Sequence, residues 1–230
     1  ITLCMETSGP HCSLALGVKA QIYESEQRLE RRHNEQLLPL LEALFESAGL
    51  RPVDVDLVAF GCGPGSFTGV RIAAAACQAI ALAAGARVLP IDSSWALAAT
   101  ACNTLEQPQT LVTCLPSRGQ AFYVGGFDVM IKDAQIEPLQ IYGDELTDEM
   151  PDWLSAFVEN HKAHVVGVAP AWLTPDVQSR FVDGLTPRAR FMLPAAHAAH
   201  TAGQSLAIEQ ALPRYIEGDS PWRKSSERAT

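Results

Sequence analysis

Gly61-Cys62-Gly63-Pro64-Gly65-Ser66-Phe67-Thr68-Gly69-Val70-Arg71 follows one apolar run, Asp56-Leu57-Val58-Ala59-Phe60, and precedes another, Ala-rich, from Ile72 to Ala84. The first run reads as a buried strand and the second as a helix. A Gly-rich turn between them lets backbone N–H groups converge at the helix entrance. Strand, Gly loop and helix in that order indicate an α/β chain, with the loop either a phosphate site or a tight packing corner. The known phosphate fingerprints fail here. A P-loop needs Lys and Ser or Thr after its last Gly, and a dinucleotide loop needs Gly where this chain has Ser66. A hydrolase elbow needs Gly-x-Ser-x-Gly, whereas Ser66 lies between Gly65 and Phe67.

Working outward, Thr2–Met5, Cys12–Val18 and Gln21–Gln27 read as strands. The short Lys19-Ala20 connection predicts an antiparallel hairpin. Residues 33–48 give the clearest helix: Leu37, Leu40, Leu41, Leu44, Phe45 and Ala48 recur at helical spacing, and Gly49 closes it. After the Gly loop a thin, Ala-rich helix spans 68–84. Arg87–Ile91 returns as a strand, and Asp92 or Ser93 caps a helix through Cys102. Residues 103–109 are polar with a Pro and mark a lobe boundary. Beyond it, Leu111–Leu115 and Ala121–Phe127 read as paired strands, 164–168 as a strand, and 152–162, 170–182 and 195–211 as helices. No internal repeat is obvious.

With 230 residues, 47% of them hydrophobic, the chain has core material for one large domain or two small ones. Its apolar stretches look too short for a membrane span of about 20 residues, and no signal-peptide pattern opens it. Six scattered Cys without a C-x-x-C pair read as buried reduced thiols of a cytoplasmic protein. The net charge of −9, with four Lys, argues against an autonomous nucleic-acid binder. The clusters Arg28, Arg31, Arg32 and Arg223, Lys224, Arg228 read as solvated surface.

Gly63-Pro64-Gly65-Ser66-Phe67-Thr68-Gly69-Val70-Arg71 resembles the most diagnostic segment of the TsaB (YeaZ) family. Three further segments fall in the right order. Leu3-Cys4-Met5-Glu6-Thr7-Ser8 is similar to the family's opening strand, which normally carries Asp-Thr. His33-Asn34-Glu35-Gln36-Leu37-Leu38-Pro39 is similar to its His-x-(Glu/Gln)-x-Leu-Leu-Pro helix, and Leu212-Pro213-Arg214-Tyr215-Ile216 to its closing Pro-x-Tyr segment. The similarity is strong over 1–104 and thin from 105 to 211, which marks a divergent member. Pro116 and Gln120-Ala121 depart from a family segment that Arg118 and Tyr123 still match, and Ile216-Glu217 stands where an Arg is common.

The resemblance implies a two-lobe α/β fold of the actin/hexokinase/Hsp70-like type with mixed central sheets. Residues 1–104, completed by 212–230, would form the first lobe and 105–211 the second. It implies a non-catalytic subunit that pairs with the transferase TsaD, with the ATPase TsaE joining them, in threonylcarbamoyl transfer to tRNA adenosine beside the anticodon. Binding of tRNA would come only through the complex, a homodimer is possible without the partner, and no membrane is involved. The expected partner interface comprises His33, Leu37, Leu41, Val70, Arg71 and Ala74.

Nucleotide-binding relatives in the superfamily hold metal and phosphate with an Asp at the end of the first strand, where this chain has Glu6-Thr7. Both are read as vestigial. Glu is longer by a methylene, and no second Asp-x-Gly-Gly loop is apparent, so no cofactor is expected in the isolated chain; ATP and Mg²⁺ belong to the assembled complex. His197 and His200 lack a nearby acidic ligand and are not read as a metal site. His161 and His164 read as surface residues. An ATP-dependent phosphotransferase or ATPase of the same fold is the alternative function. A glycoprotease-like peptidase ranks lower, since no nucleophile–base or zinc-helix motif supports it.

Overall fold

The structure is a computed structural model, and it describes residues 1–29, 32–106, 110–132 and 135–216. Arg31 and the Arg223, Lys224, Arg228 cluster fall outside the described residues, as does most of the segment 212–230 expected to complete the first lobe.

Strands β1 (Thr2–Glu6), β2 (His11–Val18), β3 (Gln21–Arg28), β4 (Leu57–Gly61) and β5 (Arg87–Ile91) form one sheet in the order β3-β2-β1-β4-β5. The β1–β2 and β2–β3 pairs are antiparallel, and β1–β4 and β4–β5 are parallel. Strands β6 (Thr110–Pro116), β7 (Phe122–Lys132), β8 (Gln135–Thr147), β9 (His164–Gly167) and β10 (Phe181–Val182) form a second sheet in the order β10-β9-β6-β7-β8. Each sheet is a three-strand antiparallel meander whose first strand continues into two parallel strands. The architecture is therefore duplicated although no repeat is legible in the sequence. Both sheets are mixed, as expected.

Helices α1 (His33–Ala48) and α2 (Phe67–Ala84) cover one face of the first sheet, where Leu37, Leu41, Leu44, Phe45, Ala73 and Cys77 pack against β1, β2 and β4 residues. Helix α3 (Ser93–Thr104) lies between the sheets: Ala96 packs with the first, and Leu97, Ala98, Ala101 and Cys102 with the second. Helix α4 (Asp152–His161) and the single turn α5 (Pro175–Gln178) cover the outer face of the second sheet. Helix α6 (Leu193–Thr201) completes the set.

Three expectations are corrected. The helix read over 170–182 is only the α5 turn followed by β10, because Pro170 and Pro175 remove backbone donors along it. The helix read over 195–211 ends at Thr201 and is followed by a one-turn 3-10 segment, Ile208–Gln210. Residues 189–196, assigned to the second lobe, pack on the first: Ala189, Met192, Leu193 and Ala196 bury against Cys4, Ala15, Leu57 and Ala59. The Ala189 N–H also donates to Ser13 Oγ at 3.0 Å. Strand β8 is an element the sequence reading lacked.

Helix α2 is long and apolar enough to cross a membrane by length and composition, against the expectation that no stretch is. One face of it nevertheless packs in the first core through Ala73, Ala74, Cys77 and Ala81.

Candidate functional site

The Gly loop sits where three elements converge. Ser66 is the N-cap of α2, and its Oγ accepts the Gly69 N–H at 3.2 Å. The Ser66 N–H donates to the Ser8 carbonyl at 2.6 Å. Thr7 Oγ1 donates to the Gly69 carbonyl at 2.8 Å. The turn after β1 is thereby laced onto the first turn of α2. Only Gly fits at 69, since a Cβ there would collide with the Thr7 carbonyl oxygen. The Gly63–Pro64 peptide is cis.

Glu6 is 2% exposed. Its carboxylate accepts the Ser8 N–H at 2.6 Å and the Ser93 hydroxyl at 2.9 Å. It also presses on Gly61, where any Cβ would overlap it. Burial pushes its pKa up, against the opposing effect of Ser8 and Ser93 hydrogen bonds. The Ser8 hydroxyl lies close to this carboxylate, yet meets hydrogen-bond geometry with no described residue.

The closing segment crosses the same loop. The Arg214 N–H donates to the Cys62 carbonyl at 2.7 Å, and the Arg214 guanidinium pairs with Asp92. Asp92 also accepts from the Cys62 thiol at 3.4 Å, and the Ser93 N–H donates to the Gly63 carbonyl at 2.7 Å. Asp92 is the N-cap residue of α3, as anticipated, but its side chain makes no capping bond and is spent on Arg214 and Cys62. Arg71 Nε donates to Tyr215 Oη at 2.8 Å while its guanidinium lies 3.6 Å above the Phe67 ring.

Beside the loop opens a cleft of about 750 Å³ between the two sheets, lined on one side by Ser8, Gly65, Phe67 and Thr68 and on the other by Arg118 and Tyr123. His33 also faces it, with Nε2 3.2 Å from the His11 carbonyl. The divergent Pro116–Tyr123 segment is thus brought opposite the Gly loop. Among the described residues no group of three His, Cys, Asp or Glu side chains is arranged to hold a metal. His200 instead pairs with Ser205. Glu6 and Thr7 are committed to internal contacts rather than presented to the cleft.

The expected interface residues are largely turned inward. His33, Leu37, Leu41, Val70 and Ala74 are all buried, Ala74 at 4% exposure, and the four apolar side chains pack within the chain's own interior. Their side chains are mostly spent on the interior; of the six, Arg71 is exposed, and Leu41 also reaches the groove described below. The outward faces of the same helices carry Leu38, 69% exposed, and Leu82, 74% exposed. Between the helices lies an apolar groove of about 490 Å³ lined by Leu38, Leu41, Phe45, Leu50, Pro52 and Ile80. The sequence held a signal for these residues: Leu38 and Leu82 are large apolar side chains out of phase with the buried stripes of their helices.

A family model described as TsaD, tRNA N6-adenosine threonylcarbamoyltransferase, matches residues 20–150. The tRNA threonylcarbamoyladenosine biosynthesis protein TsaB of Haemophilus influenzae is 26% identical over 96% of this chain and 95% of its own length. TsaB of Escherichia coli is 26% identical, with 96% of each chain covered. A Pseudomonas aeruginosa crystal structure, described as similar to peptidase YEAZ, superposes with a TM-score of 0.80 at 26% identity, covering 94% of this chain and 99% of that one. The chain belongs to the TsaB (YeaZ) family. Its two mixed sheets with their covering helices are the actin/hexokinase/Hsp70-like two-lobe fold of that family. The family's Gly-loop, opening-strand and closing segments, far apart in sequence, form one hydrogen-bonded unit here through Thr7, Ser8, Gly69 and Arg214.

Proposed function

We propose that this chain is a non-catalytic subunit in the biosynthesis of threonylcarbamoyladenosine in tRNA, docking a TsaD-like transferase through the outer face of α1 and α2. One observation carries the reading: Leu38 stands exposed at the rim of the apolar groove that Leu41, Phe45 and Ile80 line, and Leu82 is a second large apolar side chain exposed on α2. An apolar groove rimmed by a large exposed apolar side chain is a surface that a helical partner covers. The chain's net charge of −9 fits a subunit that meets tRNA only through its complex. A TsaE-like ATPase joins that complex, ATP and Mg²⁺ enter only with it, and the setting is cytoplasmic, without a membrane. In the partner's absence, a second copy covers the same face.

The engagement of Glu6 by Ser8 and Ser93 disfavours the phosphotransferase reading, which needs a carboxylate free to organise Mg²⁺. The peptidase reading finds no support in the cysteines: all six thiols are buried, and burial raises the pKa of Cys4, Cys12, Cys62, Cys77, Cys102 and Cys114 alike.

The test is co-purification with a TsaD-like protein, followed by a tRNA modification assay with and without this chain. The reading expects a stable complex and modification that requires the chain. Failure to bind any TsaD-like protein overturns it, and steady ATP turnover by the isolated chain would favour the phosphotransferase.

A further inference from the structure

We propose that the cavity between β5, α6 and β8 is a binding site for a small organic cation, a protonated amine carried on an apolar body. The inference does not depend on the partner reading above.

The cavity has a volume of about 470 Å³ and lies on the seam between the two sheets. Strand β5 is an edge of the first sheet and β8 an edge of the second, and each gives the cavity one wall. Helix α6 gives a third. Ala195, Ala198, Ala199 and Ala202 recur at the i, i+3, i+4, i+7 spacing of one helical face, and all four line the cavity. Leu193 and Ala196, on another face of the same helix, bury against the first sheet. Helix α6 is therefore apolar on two sides, and the small side chains of the second side leave the space open. Leu89 and Ile91 extend the apolar lining. Ala198 and Ala202 are exposed, so the mouth reaches solvent.

The polar lining is rich in acceptors. Asp92 and Glu137 contribute carboxylates, and no Lys, Arg or His lines the cavity. Asp92 is shared with Arg214, whereas Glu137 has no cationic partner among the described residues. Gln140 adds an amide. Its buried Nε2 lies toward the Asp144 carboxylate without meeting hydrogen-bond geometry with any described residue. That orientation leaves the carbonyl oxygen as the other end of the amide. Asp144 itself is held by the Ser94 hydroxyl at 2.8 Å.

Trp95 completes the lining. Its Nε1–H donates to the Pro138 carbonyl at 3.0 Å, which fixes the indole between α3 and β8. An aromatic ring beside a carboxylate without a cationic partner attracts a cation through both the ring quadrupole and the charge. An ammonium group is donor-only and matches an acceptor-rich wall. The alanine face favours one that carries a hydrocarbon body over a bare ion. The chain's net charge of −9 acts in the same direction.

Fluorine NMR on the full chain labelled with fluorotryptophan tests this, with phenethylamine as the probe. The chain has four Trp, and Trp95→Phe assigns the resonance of interest. The expected result is a saturable shift of the Trp95 resonance, with a dissociation constant of about a millimolar or tighter. Glu137→Gln should weaken binding about 2- to 5-fold. Ala199→Leu, which fills the cavity from α6, should abolish it. The three other resonances, unmoved, show that these variants are folded. Phenylacetate and 2-phenylethanol carry the same ring without the positive charge and should bind more weakly. Absence of a saturable Trp95 shift overturns the proposal. Equal binding of 2-phenylethanol, or unchanged affinity in Glu137→Gln, overturns the assignment to a cation. A shift that survives Ala199→Leu places the probe elsewhere and overturns the cavity assignment.

Discussion

Changing Leu82 to Arg tests the docking face without touching the interior. Leu82 lies in the last turn of α2, 74% exposed, where a cation is favourable to the helix dipole. The isolated variant should therefore fold and melt as the parent does. Fully burying a Leu side chain contributes about 1.5–3 kcal/mol. Covering the exposed three quarters of Leu82 contributes about 1–2 kcal/mol of that. Losing it weakens a complex about 5- to 30-fold, and desolvating the new guanidinium weakens it further. Ala74→Arg is the contrast. Ala74 is 4% exposed and packs among α2 and first-sheet residues. An unpaired charge there costs several kcal/mol, a large part of a typical total stability of about 5–15 kcal/mol. Sedimentation velocity of each variant, alone and mixed with a TsaD-like protein, with thermal melts alongside, gives the readout. Unchanged association by folded Leu82→Arg would remove the outer α2 face from the interface. An Ala74→Arg chain that melts normally would refute the packing of α2 described above.

Three further outcomes are expected. Gly69→Ala drives a Cβ into the Thr7 carbonyl and disrupts the Thr7–Gly69 hydrogen bond, lowering stability by about 1–3 kcal/mol in denaturant unfolding; an unaltered midpoint would contradict the close approach. Glu6→Gln should stabilise the chain relative to wild type increasingly as pH rises. Burial raises the folded-state pKa of Glu6, so its contribution is fully present below the unfolded value and is lost as pH rises through the folded one. Chemical unfolding across the acidic to neutral range checks this, and a pH-independent difference would show that Glu6 titrates alike in both states. Zinc titration followed by elemental analysis should find no stoichiometric metal, and one equivalent lost on changing His197 to Ala would show a site built on α6.

The end of α1 was legible because termination by glycine is local. The helix at 33–48 and its Gly49 terminus appear as read, with Gly49 in the left-handed region. Which side of a helix faces inward was not legible where apolar residues surround it. Leu37 and Leu38 are adjacent, and their opposite fates depend on where β2 lies. In α2, Ala occurs on both faces, so periodicity gave no direction. The location of Ala189–Ala196 on the first sheet depends on pairings with Cys4, Ala15, Leu57 and Ala59, more than a hundred residues away, and no local pattern encodes them. In the candidate site, the resemblance marked the Gly loop and the closing segment. The Arg71–Tyr215 bond that joins them required the structure.

The backbone groups of the Gly loop show its packing role. A phosphate cradle leaves the N–H groups at the helix entrance pointing at the ligand. Here the Ser66 N–H is taken by the Ser8 carbonyl and the Gly69 N–H by Ser66 Oγ, while the Gly69 carbonyl holds Thr7. The carboxylate at the end of β1, one methylene longer than the usual Asp, reaches beneath Gly61 to Ser93 of α3 instead of into the cleft. Glycine at 61 and 69 is thus demanded by close approach of Glu6 and Thr7, both from the first strand and its turn. The loop acts as a packing corner that ties β1, β4, α2 and α3 together. Those ties hold the N-terminal end of α2, and with it the direction in which the exposed side chains of α2 face whatever covers them.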